Sequence, residues 1–136
     1  MLYHIKVEVN VTDDTGRIKR KQLEYLTDVE LFANAEYAGM KEHPTSDEAA
    51  DVVAIKRSNI KEIVRERTDD ERYFLVTAID TYTDEITGKD KDLKYLILLP
   101  AENMDAANTE AKKLLSQGYD MRLKKIEETK IIDILY

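Results

Sequence analysis

The stretch IKRSNIKEIV (residues 55–64) returns as IEETKIIDIL (residues 126–135), 71 positions further along a chain of 136 residues. Ile55 and Ile60 stand an odd number of residues apart, so one flat strand cannot turn both to the same face. A bulge or break near Ser58-Asn59, mirrored near Thr129, reconciles them. The stretch therefore reads as the closing strand of a unit that is written twice.

The echo extends outward from that strand. YHIKVEVNV (3–11) matches YFLVTAIDT (73–81) at a shift of 70, which sets Tyr3 on Tyr73. LEYL (23–26) matches LKYL (93–96) at the same shift, setting Tyr25 on Tyr95. Ala35 meets Ala106, and Ile60 meets Ile131, at a shift of 71. The charges repeat as well: residues 3–64 and residues 73–136 each carry 9 basic and 12 acidic side chains. Repeats of this length mark structural units, and two copies suggest a pair rather than a solenoid. RERTDDER (65–72) reads as a polar linker between them.

Each unit has a legible order. Tyr3, Ile5, Val7, Val9 and Val11 alternate with His4, Lys6, Glu8 and Asn10, the pattern of a half-buried strand. DDTG (13–16) supplies a turn before KQLEYLTDV returns, and TDEITGKDKD (83–92) is the longer second turn. In ENMDAANTEAKKLLSQG (102–118), Met104, Ala107, Ala111, Leu114 and Leu115 share a helical face, and Gly118 suits the stop. The first helix, in ELFANAEYAGMKEH (30–43), is interrupted by Gly39 and blocked by Pro44. The expectation is an α+β fold: a tandem duplication of a β-β-α-β unit, with antiparallel sheets each carrying one helix in a pseudo-two-fold arrangement. The two repeats, 1–66 and 71–136, are expected to form one domain.

At a shift of 70 the halves differ in burial. Phe74, Val76 and Ala78 fall on the face that is polar in the first unit, and Leu96 and Leu98 add apolar side chains to the partner strand. Strands apolar on both faces are buried on both, and one helix covers one side only. Phe74, Val76, Ala78, Leu96 and Leu98 are thus candidates for a protein interface. A homo-oligomer is expected, a two-fold dimer first, or else a different protein partner.

Composition narrows the chemistry. The chain has no cysteine, which removes disulfides, thiolate metal sites and thiol nucleophiles. A net charge of −7 is the wrong field for a duplex-DNA binder. No apolar run approaches the roughly 20 residues of a membrane span, and the charged N-terminus argues against export. A cytoplasmic location without membrane association is expected. His4 and His43, the only histidines, read as solvated surface residues, and the acidic turns lack calcium-loop spacing. Neither a phosphate-cradling loop nor a nucleophile elbow is present. No catalytic residue, cofactor or metal is expected, and the protein reads as a non-enzyme.

The strongest charge feature is RIKRK (17–21). Arg17, Lys19, Arg20 and Lys21, with Lys56, Arg57, Lys124 and Lys125 on the closing strands, are candidate contacts for single-stranded nucleic acid. Tyr25, Tyr82 or Tyr95 could supply stacking. The competing reading is a solvated hairpin whose lysines discourage edge-to-edge pairing.

FANAE (32–36), IKRSNIKEIV (55–64) and IIDILY (131–136) together resemble the domain-of-unknown-function family forty-four ninety-four of Bacteroidota and their phages. The resemblance runs over nearly the whole chain, although the expected early tryptophan is missing and the chain ends at Tyr136 without a proline-containing aromatic tail. It implies a bacterial or phage origin and no catalytic role for any residue. The leading expectation is a non-catalytic interaction protein, acting by protein–protein binding or self-assembly. The alternative is a single-stranded nucleic-acid-binding accessory protein.

Overall fold

The computed structural model describes residues 2–42 and 51–135; His43 and Pro44 lie outside them. The described residues form an α+β fold with ten elements in two repeats. The first repeat comprises β1 (Leu2–Thr12), β2 (Ile18–Asp28), α1 (Phe32–Glu42), β3 (Asp51–Arg57) and β4 (Ile60–Ile63). The second comprises β5 (Arg72–Thr83), β6 (Asp90–Ala101), α2 (Met104–Leu115), β7 (Arg122–Glu128) and β8 (Ile131–Leu135).

The closing strand does break where its phase changes, between Arg57 and Ile60 and again between Glu128 and Ile131. Its two halves then part company. One sheet has the order β3-β1-β2-β8 and the other β4-β6-β5-β7. Each repeat thus builds three antiparallel strands of its own sheet and lends its last strand to the other sheet. The lent strands run parallel to their neighbours, β8 to β2 and β4 to β6. Each sheet is therefore mixed rather than wholly antiparallel. Compact units follow the sheets, not the repeats: Met1–Asn59 with Lys130–Tyr136, and Ile60–Thr129.

Strand register corrects the alignment. The β1–β3 pairing places Tyr3 opposite Arg57, and β5–β7 places Phe74 opposite Glu128, so Tyr3 corresponds to Phe74 and not Tyr73. Both pairings carry an irregularity at the same point, Lys6/Val7 and Thr77/Ala78. The offset is 71 through β1, β3 and β4. It becomes 72 through β2 and the helix, because β4 sets Ile63 on Leu98 where β8 sets Ile134 on Leu26. Tyr25 accordingly corresponds to Ile97, not Tyr95, while Ile60 and Ile131 correspond as expected. The extra residue lies in the second hairpin turn. Gly16 and Gly88 close the two turns with positive φ, and each donates to an aspartate carbonyl, three residues back at Asp13 but four back at Asp84.

In the unit holding α1, Tyr3, Ile5, Val7 and Val9 of β1, Tyr25 of β2 and Ala35 of α1 form the buried core, with Leu135 of β8. Gly39 permits the close approach. A Cβ there would lie 3.1 Å from Val52 Cγ2 and 3.2 Å from Ile5 Cγ2. In the unit holding α2, Phe74, Val76 and Ala78 pack with Ile97 and Leu99 against Ala107, Ala111 and Leu115. These three residues of β5 do not form a free apolar face: a one-residue slip in alignment exchanges the faces of a strand, and their cover is α2. Leu98 is fully buried and Leu96 half-buried, on the opposite face, where they pair with Leu75 and Thr77.

Candidate interaction surface

With the register corrected, the two helices can be compared position by position. Ala35 and Gly39 of α1, and Ala107, Ala111 and Leu115 of α2, are the buried residues of the two helices. The outward faces differ in kind. On α1, Phe32 is 53% exposed, Tyr37 68% and Met40 56%, preceded by Leu31 at 64%. At an offset of 72 the corresponding residues are Met104, Thr109, Lys112 and Asn103. Asn103 caps α2, its side-chain oxygen accepting from the Ala106 amide at 2.8 Å. Leu31 offers no such oxygen, and exchanging a good cap for an aliphatic residue costs about 1 kcal/mol.

The edge strands differ in the same sense. β3 and β7 are each the outermost strand on one side of their sheet. Val53 and Ala54 of β3 are exposed, Val53 at 46%, where β7 carries Lys124 and Lys125. Lysine on an edge strand discourages pairing with another chain, and only β7 has it at these positions. At the positions compared, exposed apolar side chains gather on α1, its approach and β3; elsewhere Ile18 in the first repeat and Tyr82, Ile86, Leu93 and Met104 in the second are also exposed. Phe32 is seated by an edge-to-face contact with Tyr3, centroids 6.1 Å apart, a geometry aromatic pairs favour.

The basic residues of the hairpin divide unequally across β2: Lys19 and Lys21 share one face, with Arg17 just before the strand, and Arg20 lies on the other. Arg20 lies 3.1 Å from Glu8 and 3.0 Å from Asp51, and Lys19 lies 3.6 Å from Asp13. Arg17 and Lys21 are exposed. Lys56 and Arg57 are exposed on β3 in one unit; Lys124 and Lys125 are exposed on β7 in the other, with Lys125 2.6 Å from Glu127. Of the tyrosines offered for stacking, Tyr25 is buried, Tyr95 half-buried and Tyr82 exposed.

His4 departs from the solvated expectation. It is half-buried, with Nε2 3.3 Å from Glu24 Oε1 but out of hydrogen-bonding alignment. Burial holds its imidazole below the ordinary value, against the opposing pull of Glu24. Among the described residues no group of three or more His, Asp or Glu side chains could hold a metal ion, and no helix is long and apolar enough to cross a membrane.

Two features were not visible in the sequence. Glu62 of β4 accepts a 2.5 Å hydrogen bond from the Tyr119 hydroxyl and a 3.4 Å one from Tyr95. The bond to Glu62, with some burial, pushes the Tyr119 phenol up to about 12, so it stays a neutral donor. It borders an open cleft of about 340 Å³ lined also by Ile79, Thr81, Asp120, Met121 and Arg122. The supposed linker, secondly, is tied down. Arg65 donates two 2.6 Å hydrogen bonds to the Glu71 carboxylate, which also accepts from the Thr68 amide. That pairing lowers Glu71 to about 2. The only signal for either feature was an acid and its partner at no helical or strand spacing, which periodicity does not register.

Comparison with curated proteins gave no match. The model of the family described as "Domain of unknown function (DUF4494)" matches residues 1–136, the entire chain, and the protein belongs to that family.

Proposed function

We propose that this is a non-catalytic interaction protein of bacterial or phage origin that works in the cytoplasm, through protein–protein binding or self-assembly. One observation carries the reading: Leu31, Phe32, Tyr37, Met40 and Val53 are exposed in one unit, where the other has Asn103, Met104, Thr109, Lys112 and Lys124. At four of these five positions the other copy carries a polar side chain on the same backbone, Met104 (44% exposed) being the exception, so the fold does not require those four to be apolar. Aromatic residues and methionine are the types enriched at protein interfaces. The family resemblance supports the origin.

The test uses the second repeat as an internal control. A photoreactive phenylalanine analogue is placed at Tyr37 in one variant and at Thr109 in another, in living cells. Discrete covalent adducts at position 37 and none at 109 are expected. No adduct at either position, or equal adducts at both, would overturn the reading.

A further inference from the structure

Resting on that reading, we infer that the partner is a second copy of this chain, joined through β3 in antiparallel register about Ala54, with the α1 patches completing the contact. The patch alone is too small. A fully buried aromatic contributes roughly 150–250 Å², so half-exposed Phe32 and Tyr37 with their aliphatic neighbours offer only a few hundred Å². A stable complex buries about 800 Å² per partner. The adjoining edge of β3 supplies what is missing, since among the described residues no strand of its sheet lies beyond it.

The sequence of that edge selects the occupant. β3 reads DVVAIKR, acid at its start and base at its end. Antiparallel pairing with itself about Ala54 sets Asp51 opposite Arg57 at both ends, Val52 opposite Lys56 next to them, and Val53, the residue that the β1–β3 register skips, opposite Ile55 at the centre. Opposite charges and apolar side chains paired across strands each stabilise a sheet. The corresponding centre of β7 is Lys125, flanked by Lys124, and self-pairing there would face lysine with lysine. Both edges carry the same irregularity, so what distinguishes them is their side chains. A two-fold axis through Ala54 makes one surface serve both partners and closes the assembly at two.

The chain has no cysteine, which makes the test clean. Residues directly opposite in an antiparallel pair have Cα atoms about 4.5–5.5 Å apart, within the range a disulfide spans. Ala54→Cys should therefore oxidise to a covalent dimer, while Lys125→Cys should remain a single chain. Light scattering on the unmodified protein should give the mass of two chains. The variant Tyr37→Thr with Met40→Lys, which copies the outer face of α2, should give the mass of one chain that still unfolds in one cooperative thermal transition, at a midpoint no longer dependent on concentration.

A single-chain mass for the unmodified protein at every concentration overturns the second copy as partner. So does equal oxidation at positions 54 and 125. If position 37 still captures a different protein in the photochemical experiment, the interaction reading survives that failure. If it captures nothing, both fall together.

Discussion

The two repeats agree where the backbone is concerned and disagree where water is. The Ser58 amide donates to the Leu2 carbonyl at 2.9 Å, and the Thr129 amide donates to the Tyr73 carbonyl at 3.0 Å, one bond made twice. The irregularities in strand pairing recur at corresponding positions, and so does the loan of the last strand. The outer surfaces share no such rule. One helix has Tyr37 and Met40 where the other has Thr109 and Lys112. A duplicated fold can keep its hydrogen-bond scaffold intact while one copy gives up its polar exterior, because exposed positions tolerate substitution at little cost to stability.

The largest expected effect separates core from interface. Phe74 is buried beneath α2 and Tyr3, its counterpart, lies at the edge of its core against Phe32. Phe74→Ala should cost about 3–5 kcal/mol, the range for emptying a buried aromatic site. Tyr3→Ala should cost less, since Phe32, which packs edge-to-face on its ring, is itself 53% exposed and can settle into the space left. Urea midpoints of the two variants decide the matter; equal losses would mean that the two cores are closed alike.

The helix–sheet approach gives a smaller contrast of opposite cause. Gly39→Ala gains about 1 kcal/mol of helix propensity, but its methyl would press on Val52 and Ile5, both stiff β-branched side chains. Overpacking of this kind costs about 1–3 kcal/mol, so a net loss of about 1 kcal/mol is expected. Ala111→Gly should lose a similar amount for the opposite reason, by propensity and lost packing. Stabilisation by Gly39→Ala would show that α1 can shift outward freely.

These contrasts also mark what could be read from the residues alone. The alternation of Tyr3 to Val11 and the odd spacing of Ile55 and Ile60 were sufficient for two β-β-α-β units with a broken closing strand. Residue identity misleads here: matching tyrosine to tyrosine sets Tyr3 on Tyr73, whereas strand pairing sets it on Phe74. A strand has a period of two, so that single slip turned a helix-covered face into an apparent interface. The loan of β4 and β8 was hidden because a short apolar strand fits either sheet equally well. The candidate surface was hidden for the same reason as the slip, since only the offset of 72 brings Tyr37 over Thr109.

The segment joining the repeats has no second copy, and its chemistry predicts a pH dependence. Glu71 is held at about 2, below its ordinary value of 4.5, chiefly by Arg65. A carboxyl lowered in the folded state stabilises above its unfolded value, and that contribution is lost as pH falls from about 4.5 through about 2. Glu71→Gln should lower stability at neutral pH by about 1 kcal/mol, because Arg65 is partly exposed and solvent screens the pair. Its thermal midpoint should fall less steeply than the parent's in acid. Parallel acid profiles would remove Glu71 as the cause.

The smallest expected effect is the sharpest test of the correspondence itself. Arg20 pairs with Asp51 at 3.0 Å in one unit, and Arg122 pairs with Asp92 at 3.2 Å in the other. At offsets of 72 and 71, Arg20 corresponds to Asp92 and Asp51 to Arg122, so the same cross-strand pair is written with its charges reversed. Arg20→Asp should set a third carboxylate beside Glu8 and Asp51 and lower the thermal midpoint slightly, more at low salt than at high. Adding Asp51→Arg should recover the loss in the single-chain background of Tyr37→Thr with Met40→Lys, where no second copy brings Arg57 opposite position 51, since it copies the arrangement that the second unit already uses. Recovery in the double variant, measured as a double-mutant cycle, isolates the pair from the rest of the hairpin. If the two substitutions simply add, the ion pairs are incidental to each surface and the correspondence of these strands rests on backbone register alone.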